Sequence, residues 1–461
     1  MKIEMIGHAT IFVQTQNCRI LMDPVLWDPH QEGLFDISPH REMLHERFPE
    51  FDVLIISHQH LDHFDVRSLA WLPKKVRVFF PRDPVIKDTL ERLGYESLFP
   101  VKDSSEINLG ATRLLTTQSE NPVPEFGVVF HDESGTFWNQ VDTILQPSTI
   151  REVQRSFGDV HFLLASWQPM MELHYQKNEH LAFPFSDYGR IMRNIGRVAP
   201  KALAPGANGF RYREPAAWLN QLVFPVARER FCFDVQKAFS DIAVLTLDPG
   251  DRVVMESGTC TKQANACSYV RTIRPGREDL DFCPVGMDAG LQADAVLTTP
   301  EEDTTIQHEL QTVLPKLFQD RDLWAEHRHW DVIYQLEIVF PDRRGRFWFD
   351  FGAAGGRLES GRNPAANLFT LISAHSLAGL ISGSLGWDRV QLGGFYRHFH
   401  KLYIPNSHGI LQPETGGVRD PLETRFPFLN QLQELLAAEI SRWRPRTETP
   451  QGTADWEPLS A

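Results

Sequence analysis

Val53-Leu54-Ile55-Ile56 is a short, β-branched apolar run with the pattern of a buried strand. It leads straight into Ser57-His58-Gln59-His60-Leu61-Asp62-His63-Phe64-Asp65. His58, His60, Asp62 and His63 offer imidazole nitrogen and carboxylate oxygen, donors that suit zinc, iron or manganese. If the loop stays extended, alternation places His58, His60 and Asp62 on one side, and His63 returns with the start of a helix. One or two such residues after a strand would read as an ordinary polar loop. This many together, directly after a buried strand, read as a metal site.

The chain ahead of this loop has strand patterning. Residues 1–14 alternate apolar and polar around a turn at Gly7-His8, and Arg19-Ile20-Leu21-Met22 is a further strand ended by Asp23-Pro24. His8 and Asp23 read either as turn residues or as strand-end residues behind the metal ligands. In the second case Asp23 would orient a ligand imidazole through its distal N–H.

The three stretches GHATIFV, ILMDPVL and LIISHQHLDHFD, in this order and spacing, resemble the opening of the metallo-β-lactamase superfamily. The resemblance covers roughly residues 1–255. It implies an α+β chain: an αββα sandwich with a metal site at the edge of two packed sheets. Two further superfamily positions are altered here. Where a strand ending near Thr117 should deliver a histidine, the chain has Gln118-Ser119-Glu120. The resemblance implies Glu120 as the replacement ligand, with Gln118 as runner-up, and Asp142 at the end of a hairpin as the bridging aspartate. Where the strand 201–205 should lead to a last histidine, the chain has Gly206-Ala207-Asn208-Gly209. The variants Pro205-Gly206-Ala207 and Asn139-Gln140-Val141-Asp142 are similar to the subgroup containing the sialic acid hydroxylases, without the iron–sulfur domain that accompanies them. His174 and His180 read as ligands or as surface histidines.

The implied metal set is therefore His58, His60, Asp62, His63, Glu120 and Asp142. Exchange of imidazole for carboxylate resembles the diiron monooxygenases of natural-product, including antibiotic, biosynthesis, of the chloramphenicol β-hydroxylase and platensimycin/platencin diterpenoid hydroxylase types. His58, His60 and Glu120 would hold one iron, Asp62 and His63 the other, and Asp142 would bridge. The second iron then needs an open position or a distant ligand from Asn208, His174 or His180. The implied cofactors are two iron ions, dioxygen and an external electron donor. The implied substrate is a hydrophobic small molecule, with coenzyme A thioesters among the candidates. The alternatives are a zinc hydrolase (lactonase, thioesterase or phosphodiesterase) and a non-catalytic binding protein.

A net charge of -14 argues against a nucleic-acid backbone or an anionic membrane as the main partner. The five cysteines contain no Cys-x-x-Cys pair and read as reduced, structural thiols. No signal peptide or long apolar span stands out, so a cytoplasmic protein is expected. At 461 residues the chain calls for a second domain. Residues 256–300 read as an irregular connection or insertion, 301–443 as a smaller C-terminal α+β domain with a weak sterol-carrier resemblance, and 444–461 as a disordered tail. The C-terminal aromatics read as core or homodimer contacts.

Overall fold

In the computed structural model the described residues are 1–443, apart from 170, 180, 275–279, 281, 284, 285, 287, 354, 355 and 415–417. The expected tail 444–461 lies outside them. Two sheets make up the N-terminal lobe. The first runs, in spatial order, Thr259–Gln263, Arg252–Glu256, Lys2–Gly7, Thr10–Gln14, Arg19–Met22, Val53–Ile55, Arg77–Pro81 and Ser97–Val101. The second runs Ala243–Val244, Ala202–Pro205, Phe162–Ala165, Gly135–Asn139, Phe126–Asp132, Thr112–Gln118 and Glu106–Leu109.

Side-chain alternation explains the layering. Ile3, Ile11, Ile20, Ile55, Leu114, Val128, Phe137 and Leu164 share one apolar cluster between the sheets. Their strand neighbours point the other way. Phe12, Leu21 and Leu54 pack under the helices Val66–Trp71 and Pro84–Arg92. Leu115, Val129, Trp138 and Leu163 pack under Pro147–Phe157, Phe185–Val198 and Arg228–Ala238. Strands buried on both faces need such two-sided apolar patterning, and the result is helix, sheet, sheet, helix.

The C-terminal lobe is a five-stranded sheet in the order Glu359–Ser360, Arg344–Asp350, Ile333–Val339, Leu368–Ser373 and Tyr396–His400. Its central pair, Ile333–Val339 and Leu368–Ser373, is parallel. Helices including Pro300–His308 and Ala374–Ser382 cover the sheet, giving this lobe its own apolar core.

Two features depart from the expected division of the chain. Residues 256–300 are not merely a connection: Thr259–Gln263 is an edge strand of the first sheet, and Val270–Arg274 pairs with His40–Met43. The last helix, Phe428–Trp443, follows the C-terminal sheet in sequence, but its Leu432, Leu436 and Ile440 sit in the first lobe's core. The Arg67 guanidinium lies 4.9 Å from the Trp27 ring centre and 4.6 Å from that of Trp443, a cation–π sandwich at the same contact. Gln431 on this helix donates to Leu380 O at 3.1 Å, so one helix ties the two lobes together. No helix among the described residues is long and apolar enough to cross a membrane.

Candidate metal centre

The His58–His63 loop leaves the first sheet after Val53–Ile55. Its first residues are held on both sides. Ile56 N donates to Phe79 O at 3.0 Å, and Ser57 N donates to Asp23 Oδ1 at 2.7 Å. Asp23, fully buried at the end of Arg19–Met22, also accepts from Ser57 Oγ at 2.7 Å and lies 3.0 Å from His63 Nδ1. The single proton of Ser57 Oγ goes to Asp23, so Ser57 Oγ must accept from His58 Nδ1, 2.9 Å away. Asp23 therefore fixes both imidazoles, one directly and one through Ser57. Each donates through Nδ1 and turns its Nε2 outward, the nitrogen that a metal would take once its proton is lost.

Those nitrogens meet carboxylates. His63 Nε2 is 3.2 Å from Asp142 Oδ2 and 3.7 Å from Asp62 Oδ2. Ligand atoms of His58, His63 and Asp142 all lie within 4.8 Å of one another, as do those of His8, Asp62 and His63. His60 adjoins them, with Nδ1 at 2.9 Å from His58 Nε2, although its side chain is otherwise exposed. Asp142 is delivered by a tight turn after Gly135–Asn139. Gln140 N donates to Leu164 O, Thr143 Oγ1 to Gln140 O, and Ser166 N to Gln140 Oε1. These bonds hold the β-branched Val141 in the left-handed region at φ 55°. His8, Asp23 and Asn208 share that conformation (φ 51°, 45° and 70°). Such residues cost of order 1–3 kcal/mol each and persist where the surroundings over-determine them, characteristically at functional sites.

The charges favour a cation. Burial, then His63 and His60, hold His58 well below the usual imidazole range, so it is neutral. Burial also opposes charge on His63, but Asp142 and Asp62 outweigh it and push its pKa well up. The carboxyls of Asp62 and Asp142 are held low against burial, chiefly by His63. In the bare protein one imidazolium thus sits among several carboxylates. His63 Nε2, 3.2 Å from Asp142 Oδ2 in an ion pair, makes no geometrically sound hydrogen bond, and Asp142 Oδ1 is buried with no partner. Buried donors and acceptors are normally satisfied, so orphaned atoms of ligating type in one place fit a metal ion.

His8 belongs to the site but is not one of its ligands. Its Nδ1 accepts from the backbone N–H groups of Asn208 (3.0 Å) and Gly209 (3.2 Å). A nitrogen accepting from two donors carries no proton, so Nε2 does, and it donates to Asp62 Oδ2 at 3.1 Å. Binding a metal through Nε2 would require the opposite tautomer, with Nδ1–H facing two N–H groups. The loop where the resemblance led one to expect a last histidine instead orients a different one. Glycine at 209 permits the approach: a Cβ there would stand 3.1 Å from His8 Cα and N.

The structure brings His58, His60, Asp62, His63 and Asp142 together. Glu120 stays out, exposed, with its backbone N–H on Ile144 O, and Gln118 is exposed as well. The inward acid is Glu125, which sequence reading missed. It is buried beside the start of Phe126–Asp132, whose Phe126 N–H donates to Ser57 O. Glu125 Oε1 accepts from the Ser119 hydroxyl and from Asn121 Nδ2 (2.6 Å), while Oε2 is buried and unpartnered. Burial, helped by Asp142, pushes its pKa up to about 7. The available signal was its place at the foot of an apolar strand that lies next to the one ending at Gln118. His174 turns to Glu179, 3.0 Å away. His180 lies outside the described residues. Asn208 serves through its backbone.

Residues 2–135 match the family model described as beta-lactamase superfamily domain. The N-terminal part of the chain has the metallo-β-lactamase fold. Among curated proteins, a "Putative Rieske 2Fe-2S iron-sulfur protein" of Mycolicibacterium smegmatis is 27% identical over 187 residues, covering 37% of this chain and 36% of that protein. A protein of the same name from Mycobacterium tuberculosis is 29% identical over the same share of each. The match thus spans little more than a third of these relatives' length. Among solved structures, CmlA, a diiron beta-hydroxylase from Streptomyces venezuelae, is 17% identical, with TM-score 0.38 over 55% of this chain and 54% of that one. An isothiocyanate hydrolase from Delia radicum gut bacteria is 17% identical, with TM-score 0.41 over 56% of this chain and all of that one.

Proposed function

We propose that this chain is a diiron, dioxygen-dependent monooxygenase that hydroxylates an unactivated carbon of a hydrophobic small molecule. The observation that carries the reading is the donor balance. Asp62 and Asp142 stand with the imidazoles of His58, His60 and His63, the buried Glu125 is near enough for Asp142 and His63 to act on its charge, and no imidazole stands where the strands ending at Gln118 and Pro205 would deliver one. Anionic oxygen donors offset more metal charge and suit iron that cycles through higher oxidation states. His58, His63, Asp62 and Asp142 would hold the metal, with His60 and Glu125 at its margin. When bound, iron supplies activation of dioxygen: substrate, O2, two electrons and two protons give the alcohol and water, with the electrons coming from an external donor. The protein's part is positional. Asp23 and Ser57 hold the imidazoles, His8 holds Asp62, and Glu125 sits beside the centre with a pKa about 7, where it can exchange a proton.

The test is elemental analysis and optical spectroscopy of anaerobically purified protein, before and after dioxygen with a reductant. About two irons per chain and an oxygen-dependent absorption change are expected. Zinc alone, with ester or lactone turnover in the absence of oxygen, would overturn the reading. It would favour the hydrolase, which the three clustered imidazoles also suit.

A further inference from the structure

Arg397 lies on Tyr396–His400, the edge strand of the C-terminal sheet. Its neighbours Tyr396 and His398 turn toward that lobe's own core. There both meet Asp420 Oδ2, at 2.6 Å from the Tyr396 hydroxyl and 3.3 Å from His398 Nδ1. Alternation sends Arg397 to the opposite face, against the short helix Glu172–Gln176 of the metal lobe. Its guanidinium carbon stands 5.2 Å from the ring centre of the fully buried Tyr175. Arg397 is only 5% exposed, and its Nε is buried without a partner. Among the described residues its side chain makes no hydrogen bond and no ion pair. Asp288, the acid whose charge reaches it, is exposed and already paired with Arg344 at 2.5 Å.

A second orphan donor borders the same ring. Trp218 meets Tyr175 edge to face, 4.9 Å between ring centres, and its Nε1 is buried without a partner. Gly394, at φ 72°, makes room for both rings in the turn that leads to Arg397. A Cβ there would stand 2.5 Å from Trp218 Cζ2 and 3.3 Å from Tyr175 Cε1. Gln176 Nε2 donates to Gln391 O at 2.6 Å, which fixes the helix carrying Tyr175 against that turn.

Both missing partners are acceptors, because guanidinium and indole N–H groups only donate. Buried charges are normally paired and buried donors normally satisfied. The Tyr175 ring attracts the cation but takes none of its strong hydrogen bonds. We propose that Arg397, over Tyr175 and beside Trp218, is an oxyanion-binding site at the seam between the lobes, taking the carboxylate or phosphate of a small molecule. The planar fork of the guanidinium matches two oxygens of either group. This site lies outside the metal centre and depends on neither its metal nor its reaction.

The test uses the full chain in a buffer free of oxyanions, titrated with inorganic phosphate in one arm and octanoate in the other. Calorimetry and tryptophan fluorescence follow binding, and a repeat after chelation removes any anion held by the metal centre. The parent should bind at least one of the two, and which one it binds tells phosphate from carboxylate. Arg397→Met keeps the length of the side chain and removes its charge. It should bind the same anion about tenfold more weakly or worse, the loss expected for a charge-assisted pair. Arg397→Lys keeps the charge without the fork and should fall between the two. Trp218→Phe should also bind more weakly. Without added anion, Arg397→Met should be at least as heat-stable as the parent, since it no longer buries an unpaired charge. Three results would each overturn the proposal: a parent that binds neither anion, affinity within about twofold of the parent's in both Arg397 variants, or a bare Arg397→Met less stable than the bare parent.

Discussion

Asp23 Oδ2 lies 3.0 Å from His63 Nδ1, joining the end of one strand to a histidine 40 residues further on. The same oxygen accepts from Ser57 Oγ, which in turn accepts from His58 Nδ1. One buried carboxylate therefore sets the tautomers of two candidate ligands, and the site's competence depends on a residue that touches no metal.

Asp23→Asn puts a donor-bearing amide where His63 and Ser57 need an acceptor. Metal affinity should fall by about 10- to 100-fold, the usual cost of losing such an outer partner. A competition titration against a chelating dye measures it, and affinity equal to the parent's would remove Asp23 from this role.

Two acids near the start of the hairpin can be told apart by their metal content. Glu125→Ala should yield protein with less bound metal after purification, while Glu120→Ala should match the parent, because Glu125 faces Asp142 and Glu120 faces solvent. The readout is metal per chain by elemental analysis. The reverse ranking would show that the loop around Ser119 rearranges to bring Glu120 inward.

The His8 tautomer can be read directly. Nitrogen-15 spectra of the imidazole should show Nδ1 unprotonated and Nε2 bearing the proton, in both the stripped and the metal-loaded protein. A proton on Nδ1 in the loaded form would make His8 a ligand. His8→Ala should keep the metal count but weaken binding, since Asp62 loses its donor.

In the C-terminal lobe, burial pushes the His327 imidazole down to about 4, while its Nε2 donates to Arg419 O at 3.0 Å. The unfolded chain takes up the proton first, near pH 6.5, so the contribution of neutral His327 is complete above that pH. It is lost progressively as pH falls from about 6.5 to about 4. A shift of this size corresponds to at most about 3 kcal/mol. Urea unfolding across this range should show the slope, and His327→Gln should flatten it. An unchanged slope would place the titration elsewhere.

The helix that ties the lobes can be tested by packing. Leu436, buried in the first lobe's core, should cost about 2–4 kcal/mol when cut to alanine, the usual price of a buried leucine truncation. If unfolding stays a single transition at lower denaturant, the last helix is part of the N-terminal core and not an accessory to the second lobe.

The sequence alone placed the strands around the metal loop and the His58–His63 run, and the resemblance those stretches carry implied the layered sandwich. Those features are local: two-residue alternation decides which face is buried, and the candidate ligands share one loop. Asp142 was also within reach, because the resemblance places an aspartate at the end of this hairpin. Only tertiary structure showed that Glu120 and Gln118 are exposed while Glu125, held by side-chain bonds from Ser119 and Asn121, is the buried acid. It also decided that His8 donates instead of ligating, through backbone groups 200 residues away. The last helix reads as amphipathic in either setting, and only three-dimensional packing selects the core that receives it. Periodicity records which residues are buried. It does not record which distant group they are buried against, and protonation, ligation and lobe contacts all depend on that second fact.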